Sequence, residues 1–485
     1  MSQTTATLER AVTPAAAPGS LLEAQRAAFV AEGAVPARVR VDRLNRCIEL
    51  LVSHEAELCT AASSDFGQRP AAVTRSMDIL PAVLALKHAR QQLHRWMRPQ
   101  RRGLKMPLRV PGVRAWIVHQ PVGVVGVISP WNFPIGLSFA PLAGILAAGN
   151  RCLLKPSELT PSTSALMQRL VAEAFDPREL AVVTGDADVA EAFSKLPFDH
   201  LLYTGSGPVG RRVMAAAAAN LVPVTLELGG KCPAVIGRSA HLARAIDRIL
   251  IGKLANAGQV CLAPDHVYVP RESLEHFVAS SRGWVTRSYP GLPANADYTS
   301  IVNGRHAARI ADLLSDAIAK GAHVIPLGAT PDAACRERRL VTPALILGVT
   351  DDMRVMQEEI FGPLLPVLPY DTIDSVISDI NQRPRALALY YFGRDGAEQR
   401  HVLERTLSGG VTLNDVAMHF LAEELPFGGV GASGMGAYHG EHGFRQFSHA
   451  RAVLRQTGFD FAGFAGLRPP YGGRLASSLK WLIRR

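Results

Sequence analysis

Residues 122–155 read VGVVGVISPWNFPIGLSFAPLAGILAAGNRCLLK. A β-branched run over 122–129 gives way to an apolar stretch of helical length over 137–149 and then to a second strand-like run over 152–155. That order, strand to helix to strand, is the signature of a parallel α/β sheet. Working outward, the alternation continues through helix-like 162–174, strand-like 181–184 and 201–204, helix-like 209–217 and a strand over 224–228 that ends in Gly229-Gly230. A second α/β block starts near Cys232, with helix-like 242–257 and 304–320 and strand-like 266–269, 324–326, 364–368 and 387–392. Upstream, Leu44, Cys47, Ile48, Leu51 and Leu58 share one helical stripe, and Ile79, Val83, Leu86 and Leu93 share another. The expected fold class is α/β, with a helical opening and two lobes built on parallel sheets.

The 485 residues are 48% hydrophobic and 19% charged, which excludes a disordered, collagen-like or coiled-coil chain and leaves a globular protein of two or three domains. Lys and Arg number 52 against 42 Asp and Glu, and the resulting +10 is thin over so large a surface. The six cysteines (Cys47, Cys59, Cys152, Cys232, Cys261, Cys335) show no metal-ligand or redox-pair spacing, so a reducing cytosol and no metal are expected. Residues 1–20 read as a loose Ala/Thr/Pro-rich tail without signal-peptide order, and no apolar run is long enough to span a bilayer. Seven Lys or Arg and no acid fall within 87–105; a solvated helix end leading into a hairpin is preferred to a nucleic-acid surface, because no binding motif accompanies the charge. In 474–485, Leu475, Leu479, Leu482 and Ile483 form an apolar stripe among basic residues. Packing on the protein body or a partner subunit is preferred there to an anionic membrane.

Four stretches carry side chains suited to chemistry. Thr204-Gly205-Ser206-Gly207-Pro208-Val209-Gly210 has G-x-G-x-x-G spacing between a strand and a helix, where backbone amides can face a pyrophosphate, although an ordinary glycine-rich turn reads the same way. Lys155-Pro156-Ser157-Glu158 sets a cation and an anion at a strand's carboxyl end, in reach of ribose hydroxyls or simply as a turn with a helix cap. Cys261, in Asn256-Ala257-Gly258-Gln259-Val260-Cys261, is a candidate nucleophile, and Glu227, in Glu227-Leu228-Gly229-Gly230-Lys231, a candidate base. Asn132, in Pro130-Trp131-Asn132-Phe133-Pro134, is an amide donor suited to an oxyanion or to a turn.

Together with Glu358-Glu359-Ile360-Phe361-Gly362-Pro363 and Leu425-Pro426-Phe427-Gly428-Gly429, these motifs resemble, in order, those of the NAD(P)-dependent aldehyde dehydrogenase superfamily, from about Leu21 to beyond Gly440. Gly410-Val411-Thr412-Leu413-Asn414-Asp415 and Ser433-Gly434-Met435-Gly436-Ala437-Tyr438-His439-Gly440 are similar to the class 3 branch. Arg95-Trp96-Met97-Arg98-Pro99 and Asp297-Tyr298-Thr299-Ser300-Ile301-Val302-Asn303 are similar to its coniferyl aldehyde dehydrogenase group.

The resemblance implies Cys261 as nucleophile, Glu227 as general base and Asn132 as oxyanion donor. It implies Lys155 and Glu158 at the adenosine ribose, Gly205, Ser206 and Val209 at the pyrophosphate, Glu359 and Phe361 at the nicotinamide side, and Trp131 and Leu228 along the cofactor cleft. Val260 departs from the Thr that class 3 relatives carry. A Rossmann-like cofactor lobe over 21–100 and 121–228, a catalytic lobe over 229–412, and bridging segments over 101–120 and 413–485, with an oligomerisation hairpin, are implied. So is a homodimer. NAD is the expected cofactor because Glu158 repels a 2′-phosphate, with NADP admitted if that side chain swings away. The expected activity is oxidation of an aromatic, coniferaldehyde-like, or medium-chain aliphatic aldehyde to the acid through a cysteine thiohemiacetal and thioester. A cysteine-dependent thioester or ester hydrolase would leave the cofactor motifs without a role, and a non-catalytic structural relative would have no use for Cys261, Glu227 and Asn132.

Overall fold

Strands without polar alternation are expected to be covered on both faces, and Val124–Ile128 and Arg151–Lys155 are buried along their whole length. In the computed structural model, which describes residues 17–105, 108–109 and 111–483, they belong to a six-stranded sheet. Its spatial order is Gly434–Met435, Val224–Leu228, His200–Gly205, Val124–Ile128, Arg151–Lys155 and Leu180–Val182. Five strands are parallel, and Gly434–Met435 closes one edge antiparallel. The helix Gly136–Ala148 is buried at every residue, which explains an apolar run with no amphipathic stripe. It lies among Ala37–Ser53, Leu80–Trp96 and Gly440–Gln446. Its approach to the last of these requires a glycine: a Cβ on Gly144 would stand 2.8 Å from the Gly443 carbonyl carbon.

The second sheet has seven strands in the order His323–Pro326, Ala344–Leu347, Leu364–Tyr370, His266–Pro270, Pro233–Ile236, Ala388–Phe392 and Gly410–Leu413. All are parallel except His323–Pro326 at one edge. The strands Pro233–Ile236, Ala344–Leu347 and Gly410–Leu413 have four residues each, too few for a pattern of period two to stand out. A third, antiparallel sheet joins Gln100–Arg102, Arg114–Pro121 and Ser448–Arg455. The basic 87–105 stretch is therefore a helix end leading into a hairpin strand.

Two expectations change. The tail over 1–20 is shorter than expected, since the helix Pro18–Glu32 begins within it; residues 1–16 lie outside the described residues. The helix expected over 242–257 ends at Leu254, because Asn256 and Ala257 adopt left-handed φ values of 48° and 53°. The C-terminal helix Gly473–Ile483 forms with none of its residues fully buried, and Leu475, Ser478 and Leu482 are half-buried. Its Ser478 hydroxyl donates to the Ala465 carbonyl at 2.9 Å, and Arg484 and Arg485 lie outside the described residues. No helix among the described residues is long and apolar enough to cross a membrane.

Candidate active site

Parallel strands bring their carboxyl ends to one edge of a sheet, so the segments after Ile128, Gly205 and Leu228 meet there although 77 to 100 residues of sequence separate the first from the others. A cavity of about 1210 Å³ opens along that edge. Trp131, Asn132, Gly205, Ser206, Glu227, Leu228, Cys261, Glu359 and Phe361 all line it. Lys155, Glu158 and Val209 do not. The buried Lys155 ammonium donates to the Pro156 carbonyl at 2.9 Å and stands 3.8 Å from the Glu158 carboxylate, at the end of the neighbouring strand. Val209 is half-buried against the apolar core beneath the glycine turn, because the helix begun at Gly207 turns that side chain toward the sheet.

Cys261 follows a loop that the backbone holds in an unusual shape. Asn256, Ala257 and Gly258 are three successive residues of positive φ, and a Cβ on Gly258 would strike the Gly362 carbonyl. Gln259 maintains that shape: its amide nitrogen donates to the Asn256 carbonyl at 2.9 Å and the Ser300 carbonyl at 3.0 Å, and its oxygen accepts from the Val302 amide at 2.9 Å. The Tyr390 hydroxyl donates to the Leu262 carbonyl at 2.6 Å, and the Cys232 thiol to the Cys261 carbonyl at 3.4 Å.

Asn132 is buried, and its side-chain nitrogen donates to the Gln259 carbonyl at 3.1 Å, which leaves its second N–H to the cavity. Its backbone carbonyl accepts from Asn256 at 3.1 Å and from the Arg69 guanidinium at 2.9 Å. Arg69 is itself buried, pairs with Asp78 at 3.3 Å and lies over the rings of Phe66 and Phe133; Asp78 also accepts from the Gly136 amide. This pair joins the helical opening to the Asn132 turn.

Glu227 is 3% exposed, and neither of its carboxyl oxygens has a hydrogen-bond partner among the described residues. Burial raises its pKa well above the ordinary carboxylate value. Burial, with the Glu359 and Glu227 carboxylates nearby, pushes the Cys261 thiol up to about 12, against the pull of the Cys261 and Leu262 backbone amides. Glu359 is pushed up to about 8 by burial and by Asp265, while the Gly230 amide, Lys231 and Arg309 oppose the shift. Its carboxylate lies over Gly229, where a Cβ would collide with it. Arg309 bonds Glu358 at 2.9 Å and the Ile360 carbonyl at 2.8 Å, and Lys231 bonds the Val355 carbonyl at 2.6 Å, so the Glu359 turn is fixed from two sides. Trp131 packs edge-on to Phe361 at 5.3 Å and against His306 at 4.9 Å.

Sequence reading alone did not single out Arg69, Asp78, Asn256, Gln259, Lys231 or Arg309. Asn256, Gln259 and Lys231 sit inside motifs already noted, while Arg69 and Asp78 lie in the helical opening outside the apolar stripes noted there and within no motif.

Comparison with known proteins shows which family and fold the chain shares. The family model described as "Aldehyde dehydrogenase family" matches residues 5–453. The chain is 50% identical over 467 residues to a probable coniferyl aldehyde dehydrogenase of Caulobacter vibrioides, covering 96% of each chain. It is 48% identical over 466 residues to a coniferyl aldehyde dehydrogenase of a Pseudomonas species, again covering 96% of each. Among solved structures, the substrate-bound state of Staphylococcus aureus AldH superposes with a TM-score of 0.89 at 34% identity, covering 96% of this chain and 99% of that one. The NAD+ complex of a Bacillus cereus aldehyde dehydrogenase superposes with a TM-score of 0.81 at 27% identity, covering 90% and 88%.

Proposed function

The chain belongs to the aldehyde dehydrogenase family and is an enzyme that oxidises aldehydes, and we propose that it converts coniferaldehyde-like aromatic aldehydes to their acids with NAD, using Cys261 as nucleophile. The observation that carries this reading is the placement of Cys261, the unpartnered carboxyl of Glu227 and the free N–H of Asn132 on one cavity that continues to the Gly205–Ser206 turn.

In the proposed reaction the Cys261 sulfur gives up its proton to solvent water and attacks the aldehyde carbon. The negative charge that develops on oxygen is held by the Asn132 side chain and the Cys261 backbone amide. A bound nicotinamide supplies the acceptor for the hydride that the thiohemiacetal carbon loses. A thioester is left on Cys261. Glu227 in its ionised form takes a proton from water as the water attacks that thioester, the carboxylic acid leaves, and Cys261 is regenerated. The raised pKa of Glu227 makes it a strong base once ionised, so turnover rises with pH.

The cavity suits a dinucleotide. The helix Gly207–Ala218 presents its first turn to the cavity with Ser206 and Gly207 at its mouth, fit for a pyrophosphate. The half-buried Glu359 carboxylate over Gly229 is an acceptor fit for ribose hydroxyls, and the Lys155–Glu158 pair fits a second ribose at the neighbouring strand end. The Glu158 carboxylate favours NAD over NADP by charge repulsion. Free cysteines suit a reducing, cytoplasmic setting. The sheet of Arg114–Pro121 and Ser448–Arg455, whose outer strand is largely exposed, would bridge a homodimer, and a monomer mass in light scattering would refute that.

The test is a steady-state assay with coniferaldehyde, benzaldehyde and octanal, each with NAD and NADP, beside Cys261→Ala. Reduced cofactor from the wild type alone, with the highest kcat/KM for coniferaldehyde and NAD, is expected; its absence for every pair with folded protein overturns the reading.

A further inference from the structure

The cavity carries a second polar group, away from Cys261, that the chemistry above does not use. The helix Leu242–Leu254 turns Arg248, Ile251 and Gly252 to the cavity, and Ala255 follows on the same side. The facing wall is the segment with Asp415, Val416 and Met418. The two walls are close because residue 252 is glycine: a Cβ there would stand 2.5 Å from the Val416 side chain. Between Arg248 and the helix end at Leu254 the lining residues Ile251 and Gly252 are apolar, and a rise of about 1.5 Å per residue puts Arg248 about 9 Å along the helix from that end, on the side away from the cysteine loop.

At that outer end Arg248 Nη1 donates to the Asn414 carbonyl at 3.1 Å and to the Asp415 carboxylate, whose other oxygen accepts the Val416 amide at 2.8 Å. Nε and Nη2 of Arg248 make no hydrogen bond among the described residues, and the two side chains are 36% and 28% exposed. The pair is therefore fixed in place with a donor to spare and lone pairs left on the carboxylate.

We infer that the Arg248–Asp415 pair is a subsite for the ring hydroxyl of a hydroxycinnamaldehyde. This rests on the proposed function, and deepens it by naming what distinguishes the substrate. A conjugated hydroxycinnamaldehyde is flat and rigid, with its carbonyl carbon and para-hydroxyl oxygen about 8 Å apart by bond lengths of about 1.4 Å, a span of the same order as the apolar length of the cavity. With the aldehyde at Cys261, the phenolic O–H donates to Asp415 and a spare Arg248 N–H donates to the phenolic oxygen or to an ether oxygen beside it. An aldehyde without the hydroxyl leaves the pair to water, and because the pair is half-exposed the discrimination is moderate, roughly tenfold.

The experiment compares kcat/KM for 4-hydroxycinnamaldehyde and cinnamaldehyde in wild type, Arg248→Met and Asp415→Asn, with NAD, and the Ki of the corresponding acids. The wild type is expected to favour the hydroxylated aldehyde roughly tenfold, mainly through KM, and both variants to bring that ratio near one, whatever their effect on rates common to both substrates. The acids should show the same ratio in Ki, which reads binding without turnover. A wild-type ratio near one, or a ratio unchanged in both variants, overturns the subsite. Absence of reduced cofactor with every aldehyde, octanal included, overturns the proposed function instead.

Discussion

Two walls face Cys261, and they are built by opposite means. On the Asn132 side, the Asn132 and Asn256 amide nitrogens and both ends of the Gln259 amide are bonded to backbone, and the buried Arg69–Asp78 pair holds the turn from behind. On the Glu227 side, a buried carboxyl has no hydrogen-bond partner among the described residues. A donor that must meet a developing charge at one position works best when it cannot move. A base that must receive a proton works best when its environment does not already hold it in one ionisation state by a fixed bond. The first wall gains stability from its hydrogen bonds, and the second gives some up, as strained functional groups do.

The largest effects should come from the unpartnered wall. Cys261→Ala should abolish reduced-cofactor formation, and Glu227→Gln should lower kcat by roughly 10² to 10⁴. Rapid mixing should show Glu227→Gln retaining a burst of about one reduced cofactor per site while the slow phase collapses, because the thioester forms but water is not activated. Wild-type steady-state activity should rise with pH, and the part of that rise owed to Glu227 ionisation should be absent in Glu227→Gln, leaving only the part owed to the Cys261 thiol. A variant with full turnover would remove the contrast between the walls.

Next comes the positioned donor. Asn132→Ala should lower kcat by roughly 10² to 10³ in the same assay, with a smaller effect on KM. Behind it, Gln259→Met deletes three buried hydrogen bonds and leaves the Ser300 carbonyl and the Val302 amide unsatisfied, while the Asn256 carbonyl keeps the Gln259 backbone amide. It should cost about 3 kcal/mol in denaturant unfolding and lower kcat about tenfold. Lost stability with undiminished kcat would make that wall a scaffold only.

The smallest effect is a stability difference. Burial keeps the folded Glu227 protonated above the ordinary value of 4.5, so the wild type loses stability as pH rises through the raised folded pKa, while glutamine does not titrate. The melting-temperature advantage of Glu227→Gln over wild type should therefore grow as pH rises above the ordinary carboxylate value and level off once the folded carboxyl has ionised. An advantage independent of pH would mean that the Glu227 carboxyl does not change charge in the fold.

Much of this molecule was legible in the chain. Runs such as 122–129 and 137–149 show which elements form, because a buried strand and a buried helix each need an uninterrupted apolar surface. The sharp punctuation after them marks where ligands can approach: the glycines at 205, 207, 229 and 230 and the residue types at 132, 227 and 261 stand at strand ends and a helix end, and local spacing plus a family resemblance were enough to find them. What the chain alone did not reveal is long-range. Arg69 lies 63 residues from the turn it supports, and Gln259 lies 41 residues from Ser300. The strand Gly434–Met435 and the strand Ser448–Arg455 return to sheets begun more than 200 and more than 300 residues earlier. Hydrogen bonds of this kind leave no periodicity in sequence, because their partners are chosen by how sheets and helices pack. The α/β elements, the cysteine, the carboxylate and the amide are therefore visible in local stretches of the chain. That the amide is locked while the carboxylate stands unpartnered follows only from the packed fold, since burial and bonding belong to the whole chain and not to any one stretch of it.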